Sequence, residues 1–151
     1  DAYFLFSVEV FDASLARRNT NPKKVYCIDH ALVTSVTSGI PVNSGHLLEN
    51  LVFTALRRMS AQVFYVKTRT GKEADFIALL PNGERMLVQS CETLNDSATR
   101  DREIGSLTAA MEELGVEEAT IVTRHETEDI HIPSGIIHVV PCWRFLLDTV
   151  V

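Results

Sequence analysis

The chain has 151 residues, of which 46% are hydrophobic and 23% are charged. This length and composition fit one globular domain that buries about two-thirds of the surface exposed by its unfolded form. No apolar run is long enough for a transmembrane helix, and the first ten residues lack the basic start of a signal peptide. The chain starts without Met inside a predicted strand, so we expect a fragment of a longer protein. Three scattered cysteines favour a reducing cytoplasm over a disulfide framework or a zinc site.

The charges are distributed unevenly along the chain. Residues 1–72 carry nine Lys or Arg against five Asp or Glu, whereas residues 73–151 carry five against fifteen. A nucleic-acid-binding protein is normally basic overall, so this chain offers at most a local basic face. The candidates for contacting nucleic acid on that face are Arg57, Arg58, Lys67 and Arg69. The alternative is that these are ordinary solvated surface charges.

The first third of the chain predicts a hairpin followed by a helix. Residues 3–12 and 25–29 have strand composition, and the polar stretch 17–24 between them predicts a long loop. Asn43 or Ser44 is suited to cap a helix over 45–59, in which apolar residues recur at helical spacing. Glu49 lies beside that apolar stripe.

The remainder alternates between strands and helices. Asp96 is a good cap for a second long helix that ends at Gly115, and a terminal helix begins near Cys142. We expect a turn over 124–129 and strands over 62–68, 73–80, 84–94, 118–124, 130–132 and 135–140. The resulting order, hairpin and then α-β-β-β-α-β, predicts a mixed α/β sheet with helices packed on it.

The turn at residues 81–83 fixes how two of these strands pair. Its Pro-Asn-Gly sequence suits a three-residue loop with Gly at the left-handed position, which pairs Leu80 with Glu84. Asp75 then faces Gln89, and Glu73 faces Cys91. A two-residue loop would shift the register by one position and lose this alignment.

Three of the side chains have the ligand atoms that Mg²⁺ prefers. Asp75, Gln89 and Glu49 supply carboxylate and amide oxygens, and Mg²⁺ bound by them would polarise a phosphodiester and activate water. The alternative is that they are ordinary polar residues at a sheet edge.

Several segments together carry a family resemblance. The chain resembles the C-terminal domain that follows the ATPase and winged-helix modules of many bacterial and archaeal AAA-type ATPases. The matching segments are KKVYCIDHAL (23–32), GHLLENLVFTALRR (45–58), VFYVKTRTGKEADFIA (63–78), LVQSCETL (87–94), TRDREIGSLTAAMEELG (99–115) and VVPCWRFLL (139–147).

The resemblance implies a restriction-endonuclease-like core of the PD-(D/E)XK nuclease type over residues 31–151. Residues 1–30 would then be a β-hairpin from the tail of a truncated upstream winged-helix module. It also implies that ATP binds only in a missing upstream ATPase module, which would be a partner within the same chain. No Gly-rich phosphate-binding loop occurs in these 151 residues.

The resemblance further implies that Glu49, Asp75 and Gln89 match the two acids and the Gln of the nuclease motif. The lysine of that motif falls at Cys91, and a neutral thiol cannot stabilise charge on a phosphate. Lys67 or Lys72 would have to replace it, unless both are surface lysines.

Two functions follow from these observations. The first is an accessory module with little or no nuclease activity, which serves the ATPase and has DNA or another protein as its partner. The alternative is an active Mg²⁺-dependent DNA nuclease that uses Glu49, Asp75 and Gln89. The missing lysine and the acidic second half favour the first.

Overall fold

The computed structural model describes residues 4–29, 31, 35, 43–60 and 62–149. The chain begins with strands β1 (Leu5–Val8) and β2 (Lys24–Cys27), which form an antiparallel pair. The prediction of a plain loop between them is wrong, because a short helix, α1 (Leu15–Thr20), occupies part of it. Ser14 caps this helix by accepting a hydrogen bond from the backbone of Arg17.

The remaining elements follow the predicted α-β-β-β-α-β order. The caps are as expected: Asn43 accepts from the backbone of Gly45, Asp96 from Thr99, and Gly115 ends its helix in left-handed geometry. The elements are α2 (Ser44–Met59), β3 (Gln62–Lys67), β4 (Glu73–Leu79), β5 (Arg85–Ser90), α3 (Ser97–Leu114), β6 (Glu118–Thr123), β7 (Glu128–Ile132), β8 (Gly135–Pro141) and α4 (Cys142–Asp148).

Strands β3 to β8 form one mixed sheet in the order β3-β4-β5-β6-β8-β7. Neighbouring strands β5, β6 and β8 are parallel, and the other neighbours are antiparallel. The predicted mixed α/β architecture is therefore confirmed. The start of β7 is corrected: it begins at Glu128, inside the predicted turn over 124–129.

The predicted register between β4 and β5 is confirmed over residues 76–79 and 85–88, but the expected pair of Asp75 with Gln89 is not part of the ladder, and the Asp75 N–H donates to the Gln89 side chain instead. Phe76 pairs with Val88 and Leu79 with Arg85, and the Leu80 N–H donates to the Glu84 carbonyl at 2.9 Å. Gly83 has φ 87°, as the three-residue loop requires.

The far end of this strand pair corrects the prediction. Strand β5 ends at Ser90 rather than residue 94, because the Ser90 N–H donates to the Asp75 side chain instead of continuing the ladder. Cys91 donates its N–H to Val122 of β6, and Glu73 pairs with Lys67 of β3, so the expected Glu73–Cys91 pair does not form.

Apolar side chains pack on both faces of the sheet. One cluster joins the sheet to α2, α4 and the β1–β2 hairpin, with Val8 and Tyr26 of the hairpin among its buried members. The other joins the opposite face to α3 through residues such as Leu107 and Met111. The hairpin thus shares a core with α2, while its origin in a winged-helix module stays a prediction.

Residues 9–11 also cover part of the free edge of β3. Phe11 N–H donates to the Tyr65 carbonyl at 2.8 Å, and Tyr65 N–H donates to the Glu9 carbonyl at 3.0 Å. The pairing of β3 with β4 shifts register between Phe64 and Val66. Among the described residues, no helix combines the length and apolar character needed to cross a membrane.

Candidate functional site: a carboxylate-lined cleft

A cleft of about 430 Å³ opens where β5 ends and the N-termini of α2 and α3 approach each other. Glu49, Asp75 and Gln89 all line it, so the structure brings the three predicted side chains to one place. Helix α2 contributes Glu49, β4 contributes Asp75, and β5 contributes Gln89.

A lysine from the N-terminal hairpin joins the two acids. The Lys24 ammonium lies 3.1 Å from Glu49 Oε1 and 3.0 Å from Asp75 Oδ1. The three side chains are 28%, 18% and 16% exposed, so this network is far less solvated than a surface ion pair. Lys24 therefore provides the positive charge between the two carboxylates.

Two further contacts attach the hairpin at the same place. The Tyr26 hydroxyl donates to Glu49 Oε1 at 2.6 Å. The buried Asn50 amide accepts from the Cys27 N–H at 2.7 Å and donates to the Cys27 carbonyl at 2.8 Å. Two consecutive residues of α2 thus hold strand β2. Glu49 contacts side chains of the strand, and Asn50 contacts its backbone.

The other oxygen of Asp75 is also occupied. Asp75 Oδ2 accepts from the Ser90 N–H at 3.0 Å and from the Ser90 hydroxyl at 2.8 Å. With Lys24 on Oδ1, the carboxylate receives three donors from the protein itself.

Gln89 is occupied in the same way and connects the cleft to α3. Its Oε1 accepts from the Asp75 N–H at 2.9 Å, and its Nε2 donates to Glu103 Oε2 at 2.7 Å. Gln89 and Glu103 are each 7% exposed, and Glu103 Oε1 pairs with Arg102 at 2.6 Å. The amide oxygen that was expected to bind metal serves as an acceptor for the backbone of β4.

Burial and mutual repulsion affect the protonation of these groups. Burial raises the pKa of Asp75, Lys24 opposes this rise, and the nearby charge of Glu49 adds to it. Burial disfavours the Lys24 ammonium, but the two carboxylates outweigh it and raise the pKa of Lys24. Burial and the charge of Glu49 raise the pKa of Tyr26, which stays a neutral donor.

The two lysines considered from the sequence have other partners. Lys67 lies 3.5 Å from Glu73 Oε1, and Lys72 donates to the Gly105 carbonyl of α3 at 3.1 Å. The lysine that contacts the acids is Lys24, from the N-terminal hairpin.

The four predicted basic contacts fall into two pairs along the chain. Arg57 and Arg58 lie at the end of α2, just before β3 begins, whereas Lys67 and Arg69 lie at and beyond its other end. Arg57 packs over the Phe6 ring at 5.2 Å, and Arg69 lies 4.0 Å from Glu113.

Two residues of the site were missed, although each had a signal. In strand β2 the period of two places Lys24 on the same face as the buried Tyr26. In α3, Glu103 precedes Leu107 by four residues and Met111 by eight, so it occupies the buried stripe.

The residues present do not fit a Mg²⁺ ion. Lys24 lies between the two carboxylates, and the Gln89 oxygen already accepts a backbone hydrogen bond. Within the described ranges, no three or more His, Cys, Asp or Glu side chains are grouped so as to hold a metal. Cys91 does not replace the motif lysine, because burial raises the pKa of its thiol and its Sγ–H faces the Thr93 carbonyl.

The fold and the cleft define a mixed α/β domain with a lysine-bridged carboxylate pair at one end of its sheet. Residues 44–145 match the model of the family described as "Domain of unknown function (DUF4143)", and the chain belongs to this family. It is also similar to "Uncharacterized protein MJ1544" of Methanocaldococcus jannaschii, with 32% identity over 157 aligned residues. That alignment covers 97% of this chain but 34% of the relative, so the chain spans about a third of that protein's length. No solved structure matched the chain.

Proposed function

We propose that this chain is a non-catalytic module of a larger ATPase, with a nuclease-like core whose acidic site has become part of the structure. The observation that carries the proposal is the position of Lys24, which lies between Glu49 and Asp75 and pairs with both from within the protein. A catalytic metal needs carboxylate oxygens that are free to bind it. Here Glu49 Oε1 and both oxygens of Asp75 accept hydrogen bonds that hold the hairpin, β4 and β5 together.

The larger protein is inferred from two sources. The sequence resembles domains that follow an ATPase module, and the archaeal relative extends well beyond the matched region. On this proposal the chain serves the ATPase through its surface, and ATP binds in the upstream module.

The test is a cleavage assay combined with metal titration. Purified chain should leave fluorescent single- and double-stranded DNA intact at millimolar Mg²⁺ or Mn²⁺, and calorimetry should detect no Mn²⁺ binding. An Asp75→Asn variant prepared identically controls for contaminating nuclease. Cleavage by the wild type that disappears in this variant would show that the site is catalytic.

A Mg²⁺-dependent nuclease is the second candidate, and one observation favours it. Lys24 brings to the two acids the positive charge that the motif lacks at Cys91. In that case cleavage would require Lys24 as well as Glu49 and Asp75, and Lys24→Met would abolish it without loss of the fold.

DNA is the first partner to test for the non-catalytic module. If the arginines at the end of α2 contact phosphates, binding should weaken steeply with salt, and Arg57→Glu with Arg58→Glu should weaken it further. Salt-insensitive or undetectable binding would point to a protein partner instead. Lys67→Glu, some distance away at the other end of β3, tests whether the second basic pair takes part.

A further inference from the structure

The cleft contains two carboxylates that share a single cation. Glu49 Oε1 and Asp75 Oδ1 both contact the Lys24 ammonium, at 3.1 and 3.0 Å. Neither acid has Arg or another Lys among its ion-pair partners in the described residues; His46 lies 3.7 Å from Glu49 Oε2. Withdrawal of Lys24 would leave two neighbouring anions without their counter-charge beside an open cleft.

The cation is attached to a structural element. Lys24 begins strand β2, and the next residues of that strand are held by Tyr26–Glu49 and Cys27–Asn50 hydrogen bonds. The position of the ammonium is therefore set by the seating of the hairpin on α2.

We propose that Lys24 is a tethered substitute for a divalent cation, so that hairpin seating and cation binding in this cleft exclude each other. The proposal rests on the non-catalytic function above and gives that site a regulatory property. Because linkage is reciprocal, whatever lifts β2 from α2 opens the carboxylates to a cation, and a cation bound there disfavours seating of the hairpin.

The physical basis is the balance of charge. Two carboxylates in a partly desolvated site repel each other and need a positive partner. An ammonium supplied by the chain does not have to be taken up from solution. Its hydrogen bonds to Glu49 Oε1 and Asp75 Oδ1 also fix the strand that carries it. A hydrated Mn²⁺ ion can use the same two carboxylates with water as its remaining ligands, as Mg²⁺ commonly does.

The experiment measures Mn²⁺ binding to the full 151-residue chain by calorimetry and by electron paramagnetic resonance. Lys24→Met keeps the length of the side chain and removes the charge, and it should bind Mn²⁺ at least about tenfold more tightly than the weakest binding that the same titration of the wild type would detect. Mn²⁺ should also raise the thermal midpoint of this variant, whereas a purely structural loss would not be rescued by metal.

The matched control is Lys23→Met, which removes the adjacent lysine. Lys23 pairs with Glu9 on the surface, 2.7 Å away, so its loss should leave Mn²⁺ binding at the wild-type level. Adding Asp75→Asn to Lys24→Met should abolish the gained binding. If Lys24→Met fails to fold by circular dichroism, Lys24→Gln replaces it, because its amide still offers a donor to the acids.

Folded Lys24 variants that bind Mn²⁺ no better than the wild type would overturn the proposal. Failure of the proposed function would be seen differently, because it would appear as DNA cleavage or metal binding by the wild-type chain and not by a Lys24 variant.

Discussion

The two faces of the six-stranded sheet are covered in different ways. On one face α3 packs as a single long helix, held by apolar residues such as Leu107 and Met111 and closed by caps at both ends. On the other face α2 shares the surface with α4 and the β1–β2 hairpin. There the attachment includes buried polar contacts, namely the Asn50–Cys27 pair and the Lys24 network.

The difference shows how polar contacts add specificity to apolar packing. Helix α3 is placed mainly by its apolar stripe, to which the hydrogen bond from Gln89 to Glu103 adds a buried polar contact. A two-stranded hairpin is marginally stable by itself and needs a partner surface. Hydrogen bonds to its backbone and an ion network at its end define where β2 sits, although burial of Tyr26 against Phe53 supplies apolar contact as well.

Leu107→Ala should produce the largest effect on stability and tests the α3 face. Leu107 is fully buried, so the cavity should lower the free energy of unfolding by about 3 kcal/mol. Chemical denaturation measures this value, and Leu147→Ala, at an exposed leucine of α4, is the control. Similar losses for both leucines would contradict the assignment of Leu107 to the core.

Asn50→Ala should have the next largest effect and tests the hairpin face. It leaves the Cys27 N–H and carbonyl without their partner, which we expect to cost about 2 kcal/mol. Hydrogen exchange should accelerate at the Cys27 amide more than at amides of α3. The control is Asn95→Ala, at an exposed position; equal acceleration in both regions would show that the hairpin has no separate attachment.

Lys24→Met should change the pH dependence through Asp75. Because folding raises the pKa of this carboxyl, its contribution to stability declines as pH rises from the ordinary pKa through the raised one. Lys24 lowers the pKa of Asp75, so its loss should let this pKa rise further. The decline in the stability contribution of Asp75 should then extend to higher pH.

Carboxyl-carbon NMR titration of Asp75 measures this shift directly. Glu128 is the internal control, since its hydrogen bond with Arg100 lowers its pKa and lies away from Lys24. An unchanged Asp75 pKa in the variant would mean that Lys24 does not act on this carboxyl in solution.

Asp96→Ala should have the smallest effect and tests the capping of α3. The variant loses the acceptor for the Thr99 N–H, so the thermal midpoint should fall slightly, by less than in Asn50→Ala. Asp101→Ala, at an exposed acid within the same helix, controls for the change in charge. A fall as large as that of Asn50→Ala would mean that α3 also relies on one polar contact.

Local signals in the sequence were sufficient for much of the fold. The caps at Asn43, Asp96 and Gly115 placed both long helices, and the Pro-Asn-Gly turn fixed the register of β4 with β5. These features depend on a few neighbouring residues. Helix α1 was missed because it has six residues, none of them buried, and so shows no apolar periodicity.

The candidate site was predicted in part, for a physical reason. Glu49, Asp75 and Gln89 could be brought together from one turn and one helix face. Lys24 lies 51 positions before Asp75, and its contact depends on how the hairpin docks, which no local pattern records. The sequence also contained no indication that the Gln89 oxygen would be used by the backbone of β4.

The backbone pairing of residues 9–11 with Tyr65 has a consequence for any shortened form of the protein. Strand β3 ends one side of the sheet, and this segment covers its outward N–H and carbonyl. A fragment that started at residue 31 would leave those groups, and the apolar side chains beneath the hairpin, open to a neighbouring molecule. Self-association of such a fragment would then reflect the loss of its cover and not an oligomeric state of the intact chain.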